Sequence, residues 1–112
     1  MVPPSLVREW KKIFPHHQYD TNYGLTETTA LGTSNAGENY RNKPASVGRP
    51  IPPLMEAKMV DEQGRTLPAG QTGEICFRSC TNFRGYWKKE TETARAMLPG
   101  GWFRTGDLGC MD

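Results

Sequence analysis

The sequence of 112 residues has no excess of charge of either sign: 14 Lys and Arg stand against 12 Asp and Glu, for a net charge of +2. That balance argues against a nucleic-acid footprint and a polybasic membrane patch. No apolar run approaches the roughly 18 residues that a membrane span needs. The first ten residues, MVPPSLVREW, contain no basic stretch followed by an apolar one, so no signal peptide is read. Cysteine is scarce. Cys76, Cys80 and Cys110 cannot all pair. Cys76 and Cys80 fall in or just past a strand-like segment, about 13 Å apart if extended, which is too far for a disulfide. No CxxC pair and no His-spaced zinc pattern occurs. Reduced thiols in a cytoplasmic protein are the expectation.

Core-forming residues are also few. Leu, Ile, Val and Phe together are only 18 of 112 residues. Such thinness signals disorder only beside high net charge, so the reading is a folded chain that lacks part of its core. The length allows one domain. The 12 glycines and 9 prolines call for many turns. No repeat and no low-complexity segment is visible.

Leu6, Val7, Trp10, Ile13 and Phe14 recur at helical spacing. Pro3 and Pro4 suit a first turn, Lys11 and Lys12 a last one, and Pro15 ends the helix near Phe14. Trp10 is expected in a core. Residues 18–23 read as a buried strand and residues 32–46 as a long polar loop. Residues 55–60 read as a strand, 61–64 as a turn and 68–70 as another. Glu74 to Ser79 alternates, with Ile75 and Phe77 on one face, as in a half-buried strand. Residues 90–98 read as a helix stopped by Pro99-Gly100-Gly101, and 102–104 as a brief extended piece. The fold class expected is an α/β fragment: one helix–strand unit of a parallel sheet, then a small antiparallel, barrel-like β subdomain. The neighbours of a lone parallel strand must come from elsewhere. The apolar helix face should therefore be exposed unless covered, and a homodimer is one way to cover it.

Three clusters carry chemistry. In Tyr23-Gly24-Leu25-Thr26-Glu27, a glycine after a strand permits a sharp turn or close approach. A hydroxyl beside a carboxylate at a strand end suits a phosphate oxygen and a magnesium ion. An ordinary loop, with Thr26 or Thr28 capping a helix, is the plain alternative. Gly73-Glu74-Ile75-Cys76-Phe77-Arg78 followed by Gly85-Tyr86 reads by itself as strand, loop and turn. In Gly101-Trp102-Phe103-Arg104-Thr105-Gly106-Asp107, the carboxylate can accept two hydrogen bonds from vicinal ribose hydroxyls, or the segment is a plain Thr-Gly-Asp turn.

Taken in order, these three clusters resemble the adenylate-forming (AMP-binding) superfamily, and Ser46-Val47-Gly48-Arg49-Pro50 is similar to its linker into a barrel-like subdomain. Leu25 and the GWFRTGD run resemble the acyl-CoA synthetase branch. The resemblance implies an ATP-dependent ligase that joins a carboxylic acid to AMP and passes the acyl group to coenzyme A. It implies that Tyr23 stacks on adenine, Thr21 meets the adenine edge, and Gly24 lies beside the passing acyl or phosphate group. It implies that Thr26 and Glu27 act in catalysis, Thr26 on the α-phosphate and Glu27 on Mg²⁺, and that Asp107 holds the ribose. Residues 1–45 would end an α/β subdomain and 46–112 would form the β-rich one.

Asn22 stands where Gly or Ala is usual, Ser79 where Gly is common, and Glu90 where Pro is frequent. No Ser/Thr/Gly-rich phosphate loop with its lysine is present, nor the later domain with the catalytic lysine. The expectation is a fragment of a large N-terminal domain, inactive alone. A piece of a peptide-synthetase adenylation domain and a non-catalytic small β interaction module are the other readings. His16, His17, Arg41, Lys43 and the Trp87-Lys88-Lys89 run are read as solvated.

Overall fold

A computed structural model describes residues 3–112. Pro4 opens helix α1 (Pro4–Ile13), and Lys11 and Lys12 occupy its last turn. A fixed φ suits the first turn and cations suit the negative end. The Phe14 N–H closes that end on the Trp10 carbonyl at 2.7 Å. Of the apolar stripe only Val7 is buried, against Tyr19 and Tyr40. Leu6, Trp10, Ile13 and Phe14 are exposed, as expected. Trp10 is not core: it is 47 % exposed and meets Phe14 edge to face. No feature of the structure supports a second copy over this face.

Strands β1 (Asp20–Gly24), β2 (Gly32–Ala36) and β3 (Arg49–Pro50) form one sheet in that order, with helix α2 (Gly37–Asn42) between the last two. Two expectations are corrected here. The strand expected over 18–23 starts at Asp20 and alternates exposed and half-buried residues; Tyr19, just before it, is the buried one. All ladders among the described residues are antiparallel, with Tyr23 opposite Thr33, so no parallel partner of β1 is found among them. The long loop expected over 32–46 is instead a strand and a helix. Thr33 and Asn35 are buried in it. Thr33 Oγ1 donates to the Val47 carbonyl at 2.7 Å, and Asn35 Nδ2 to those of Lys43 and Ser46 at 2.9 and 3.0 Å. Polar groups tolerate burial when so paired.

The second sheet has the order β4 (Met55–Val60), β5 (Thr72–Ser79), β7 (Trp102–Cys110), β6 (Met97–Leu98), all antiparallel. It stays open, with β4 and β6 at its edges, as a part-barrel. Helix α3 (Glu90–Ala96) is two residues shorter than expected, because Met97 and Leu98 extend to pair with Phe103 and Trp102. Strand β7 continues through Thr105-Gly106-Asp107, where extended structure was expected to stop at 104. Its register slips there: Cys76 faces Arg104, but Glu74 faces Leu108. Gly106, at φ +78°, supplies the left-handed backbone that such a bulge favours.

The core joins the two sheets. Met55, Met59, Ile75 and Phe77 are buried, and Tyr23, Leu25, Leu31 and Ile51 pack on them from the first sheet and its connections. Tyr23 thus rests on the core that β5 carries.

Candidate functional site

The chain leaves β1 through a tight reversal. A Cβ on Gly24 would lie 2.4 Å from the Ala30 carbonyl oxygen, so the close approach that needs this glycine comes from the chain itself. Residues Thr26–Thr28 make one 3-10 turn, and Thr29 and Ala30 follow with φ of 56° and 61°. Thr28 takes the structural part: it is fully buried, and its hydroxyl accepts from the Leu25 N–H at 3.1 Å. Thr26 is exposed, and none of its side-chain atoms is bonded by a described residue.

The segment between β5 and α3 clasps this reversal from the second sheet. The Phe83 N–H donates to the Glu27 carbonyl at 2.7 Å, and Thr29 Oγ1 donates to the Thr81 carbonyl at 2.8 Å. Tyr86 Oη donates to Glu27 Oε1 at 2.9 Å. That bond to the carboxylate, with some burial, raises the Tyr86 phenol pKa. No described residue donates to Glu27 Oε2.

The other junction is at Tyr23. Its Oη donates to Asp107 Oδ2 at 2.6 Å, across 84 residues of sequence. The ring leans on Phe77, with centroids 5.8 Å apart. Burial first, and the Asp107 hydrogen bond second, push the Tyr23 phenol from 10.0 up to about 12. Asp107 itself is exposed. The bulge beneath it is fixed by Glu74. Glu74 Oε1 accepts from the Gly106 N–H at 2.9 Å, and its Oε2 accepts from Arg104 at 2.8 and 2.5 Å. Thr105 Oγ1 adds a bond to the Ile75 carbonyl at 2.8 Å.

A cleft of about 760 Å³ opens between the two sheets, with Thr21, Tyr23, Val47, Ile75 and Asp107 among its walls. That volume is in the range of small-molecule sites. The structure therefore brings Thr21, Tyr23 and Asp107 to one cleft. Gly24, Thr26 and Glu27 do not line it; they form the adjoining reversal at the end of the same strand. What the arrangement offers is a half-buried aromatic face, two solvent-reachable carboxylates and a free hydroxyl. Groups of these types suit binding and orienting a ligand. His16 and His17 are exposed before β1.

Among the described residues no group of three or more His, Cys, Asp or Glu is placed to hold a metal ion. A magnesium ion held by one carboxylate, waters and a ligand's phosphates needs no such group. Glu27, with one oxygen free of described donors, fits that mode.

Sequence reasoning missed two supports, Glu74 beneath Asp107 and Tyr86 beside Glu27. Both lie in the motif that reads by itself as strand, loop and turn. Their partners are 30 and 59 residues away, so no local signal marks them.

Comparison with known proteins gives concordant results. Residues 1–87 match the model of a family described as AMP-binding enzyme. A rice protein (Oryza sativa subsp. japonica) named 4-coumarate–CoA ligase-like 9 is 40 % identical over 115 residues, covering 99 % of this chain and 20 % of the relative. A crotonobetaine/carnitine–CoA ligase of Salmonella agona (strain SL483) is 41 % identical over 95 residues, covering 82 % of this chain and 18 % of the relative. The crystal structure of a protein described as a putative long-chain-fatty-acid CoA ligase from Rhodopseudomonas palustris CGA009 superposes with a TM-score of 0.88 at 34 % identity, covering all of this chain and 27 % of that one. The chain spans about a fifth of the length of the curated relatives it matches. No helix among the described residues is long and apolar enough to cross a membrane.

Proposed function

We propose, since the chain belongs to the AMP-binding enzyme family, that it supplies the nucleotide-binding segment of an ATP-dependent acid–thiol ligase. The enzyme would activate a carboxylic acid, fatty or aryl, as acyl-AMP and transfer the acyl group to coenzyme A. The observation that carries this reading is the junction of Tyr23 with Asp107 at 2.6 Å on the wall of the cleft. It sets an aromatic face beside a carboxylate, which is what an adenosine asks for: a surface for the base and an acceptor for the ribose hydroxyls.

In this reading residues 1–45 provide the base and phosphate contacts, and residues 46–112 the ribose contact. Tyr23 stacks on adenine and Thr21 meets its edge. Asp107 Oδ1 accepts from the ribose while Oδ2 stays with Tyr23. Gly24 keeps the strand end narrow where the acyl and phosphate groups pass. The exposed Thr26 hydroxyl donates to the α-phosphate. Glu27 would hold a magnesium ion, which when bound supplies positive charge against the phosphate oxygens. The chain's own share is positioning and electrostatic complementarity. A cytoplasmic location goes with the three free cysteines. The names of the relatives, coumarate-like and crotonobetaine/carnitine ligases, favour an acid–CoA ligation without fixing the acid. The sequence holds no Ser/Thr/Gly-rich phosphate loop, so acyl-CoA formation by these 112 residues alone is not expected.

An NMR titration of the ¹⁵N-labelled chain with a non-hydrolysable acyl-adenylate and Mg²⁺ tests the reading. Shifts should concentrate at Tyr23, Thr26, Glu27 and Asp107, and Asp107→Asn should weaken binding about tenfold or more, the worth of a charge-assisted hydrogen bond. Shifts spread evenly over the surface, or none in a well-dispersed spectrum, would overturn it.

A further inference from the structure

We propose that Tyr86 is a positioning residue for Glu27: its phenol fixes one carboxylate oxygen so that the other is presented to a metal ion carried by a nucleotide. The inference rests on the reading of Glu27 given above and extends it to a residue in a different sheet's connection.

The first ground is that the bond is not needed as a tether. The Phe83 N–H to the Glu27 carbonyl and the Thr29 hydroxyl to the Thr81 carbonyl already hold the two loops together. The Tyr86 phenol goes instead to the carboxylate, at Oε1. The second ground is that Tyr86 is itself built in from three sides. Its N–H donates to Thr93 Oγ1 at 2.9 Å, and that hydroxyl donates to the Lys89 carbonyl at 2.8 Å. Its ring meets Phe83 edge to face at 4.8 Å, and Phe83 meets the buried Phe103 at 5.3 Å. Gly85 lets the backbone pass Thr93, where a Cβ would come within 2.7 Å of Cγ2. The third ground is the donor type. A phenol orients a carboxylate while leaving its charge in place, whereas a guanidinium would neutralise it. A free glutamate spreads over many rotamers, and holding one of them reduces the ordering cost of binding. Hydrogen-bonded partners of metal-ligating carboxylates commonly tune metal affinity in this way.

The test measures ATP affinity with and without Mg²⁺ for the wild-type chain, Tyr86→Phe, Glu27→Gln and the double variant. The readout is the gain in affinity that Mg²⁺ confers. Tyr86→Phe should cut that gain roughly tenfold while leaving the affinity for ATP without metal unchanged. In the Glu27→Gln background the same substitution should do nothing further, because its effect passes through the lost carboxylate. Thr93→Val, which frees the Tyr86 backbone, should lower the gain in the same direction and covers the case of a Tyr86→Phe chain that does not fold. Equal losses with and without Mg²⁺, additive losses in the double variant, or an untouched gain in Tyr86→Phe would each overturn the inference while leaving Glu27 as ligand. A gain that survives Glu27→Gln, or is absent in the wild type, would overturn the reading of Glu27 itself.

Discussion

Ionisation of Tyr23 should weaken the fold at high pH. An unfolded tyrosine titrates near 10, while the folded Tyr23 phenol is pushed up to about 12, first by burial and then by its hydrogen bond to Asp107. Below pH 10 both states hold the proton and the stabilisation is complete. Between about 10 and 12 the unfolded chain gives up a proton that the folded chain keeps, so rising pH favours unfolding. Two pH units at ~1.4 kcal/mol each make a gross loss of about 2.7 kcal/mol. The ring is only half-buried, and solvent screening reduces this to about 1–1.5 kcal/mol. Urea unfolding of the wild type and of Tyr23→Phe at pH 8 and pH 11.5 measures it. Lysines and the other tyrosines titrate in both proteins and cancel in the comparison. The wild type should lose about 1 kcal/mol more than the variant over that interval. Asp107→Asn should keep the larger part of the effect, because burial leads the shift. Equal losses in wild type and Tyr23→Phe would refute the reasoning.

Phe77→Ala removes a fully buried ring on which Tyr23 leans; it should cost about 3–5 kcal/mol, most of the stability of a domain with so thin a core, and abolish a cooperative urea transition. Gly24→Ala drives a methyl to 2.4 Å from the Ala30 carbonyl; urea unfolding should show a loss of about 1–3 kcal/mol, with amide shifts concentrated over residues 24–31. Burial first, and Glu74 second, push the Cys76 thiol from 9.0 up to about 11, while Cys80 and Cys110 are exposed. A disulfide reagent at pH 8 should therefore titrate two thiols quickly and reach the third only on unfolding.

The elements legible in the sequence are those whose signal is local. The apolar stripe of α1 and the alternation of β5 follow from the spacing of a few neighbouring residues. β2 was not legible because its burial is polar, and α2 because it is six residues long and buries only Tyr40. Thr33 and Asn35 are inside only because the carbonyls of Val47, Lys43 and Ser46 come round to meet them, and no hydropathy pattern records that. β6 is two residues long and exists by pairing with β7; its helix-like composition pointed the other way. The exposure of the α1 face was expected from what a lone helix–strand unit leaves uncovered, and Leu6, Trp10, Ile13 and Phe14 are exposed; the parallel sheet expected with it is not seen among the described residues, where β1 pairs antiparallel with β2.

Five of the acids divide by the group that holds them. Glu56, Asp61 and Glu74 are held by Arg78, Arg65 and Arg104 at 2.6, 2.7 and 2.5 Å. A guanidinium fixes a carboxylate and cancels its charge, which suits a structural clamp; Glu74 shows this in pinning the bulge under Asp107. Glu27 and Asp107 are held by phenols, Tyr86 and Tyr23. A phenol fixes one oxygen, and the charge and the second oxygen remain for something else. The phenols come from 59 and 84 residues away, so the motifs that identify the two acids carry no trace of this arrangement. It follows that Tyr86→Arg would keep the Glu27 carboxylate in place and remove the charge it has to offer. A chain so altered should keep its affinity for ATP without metal and lose the gain that Mg²⁺ confers, whereas an acid serving only the fold would be indifferent to the exchange.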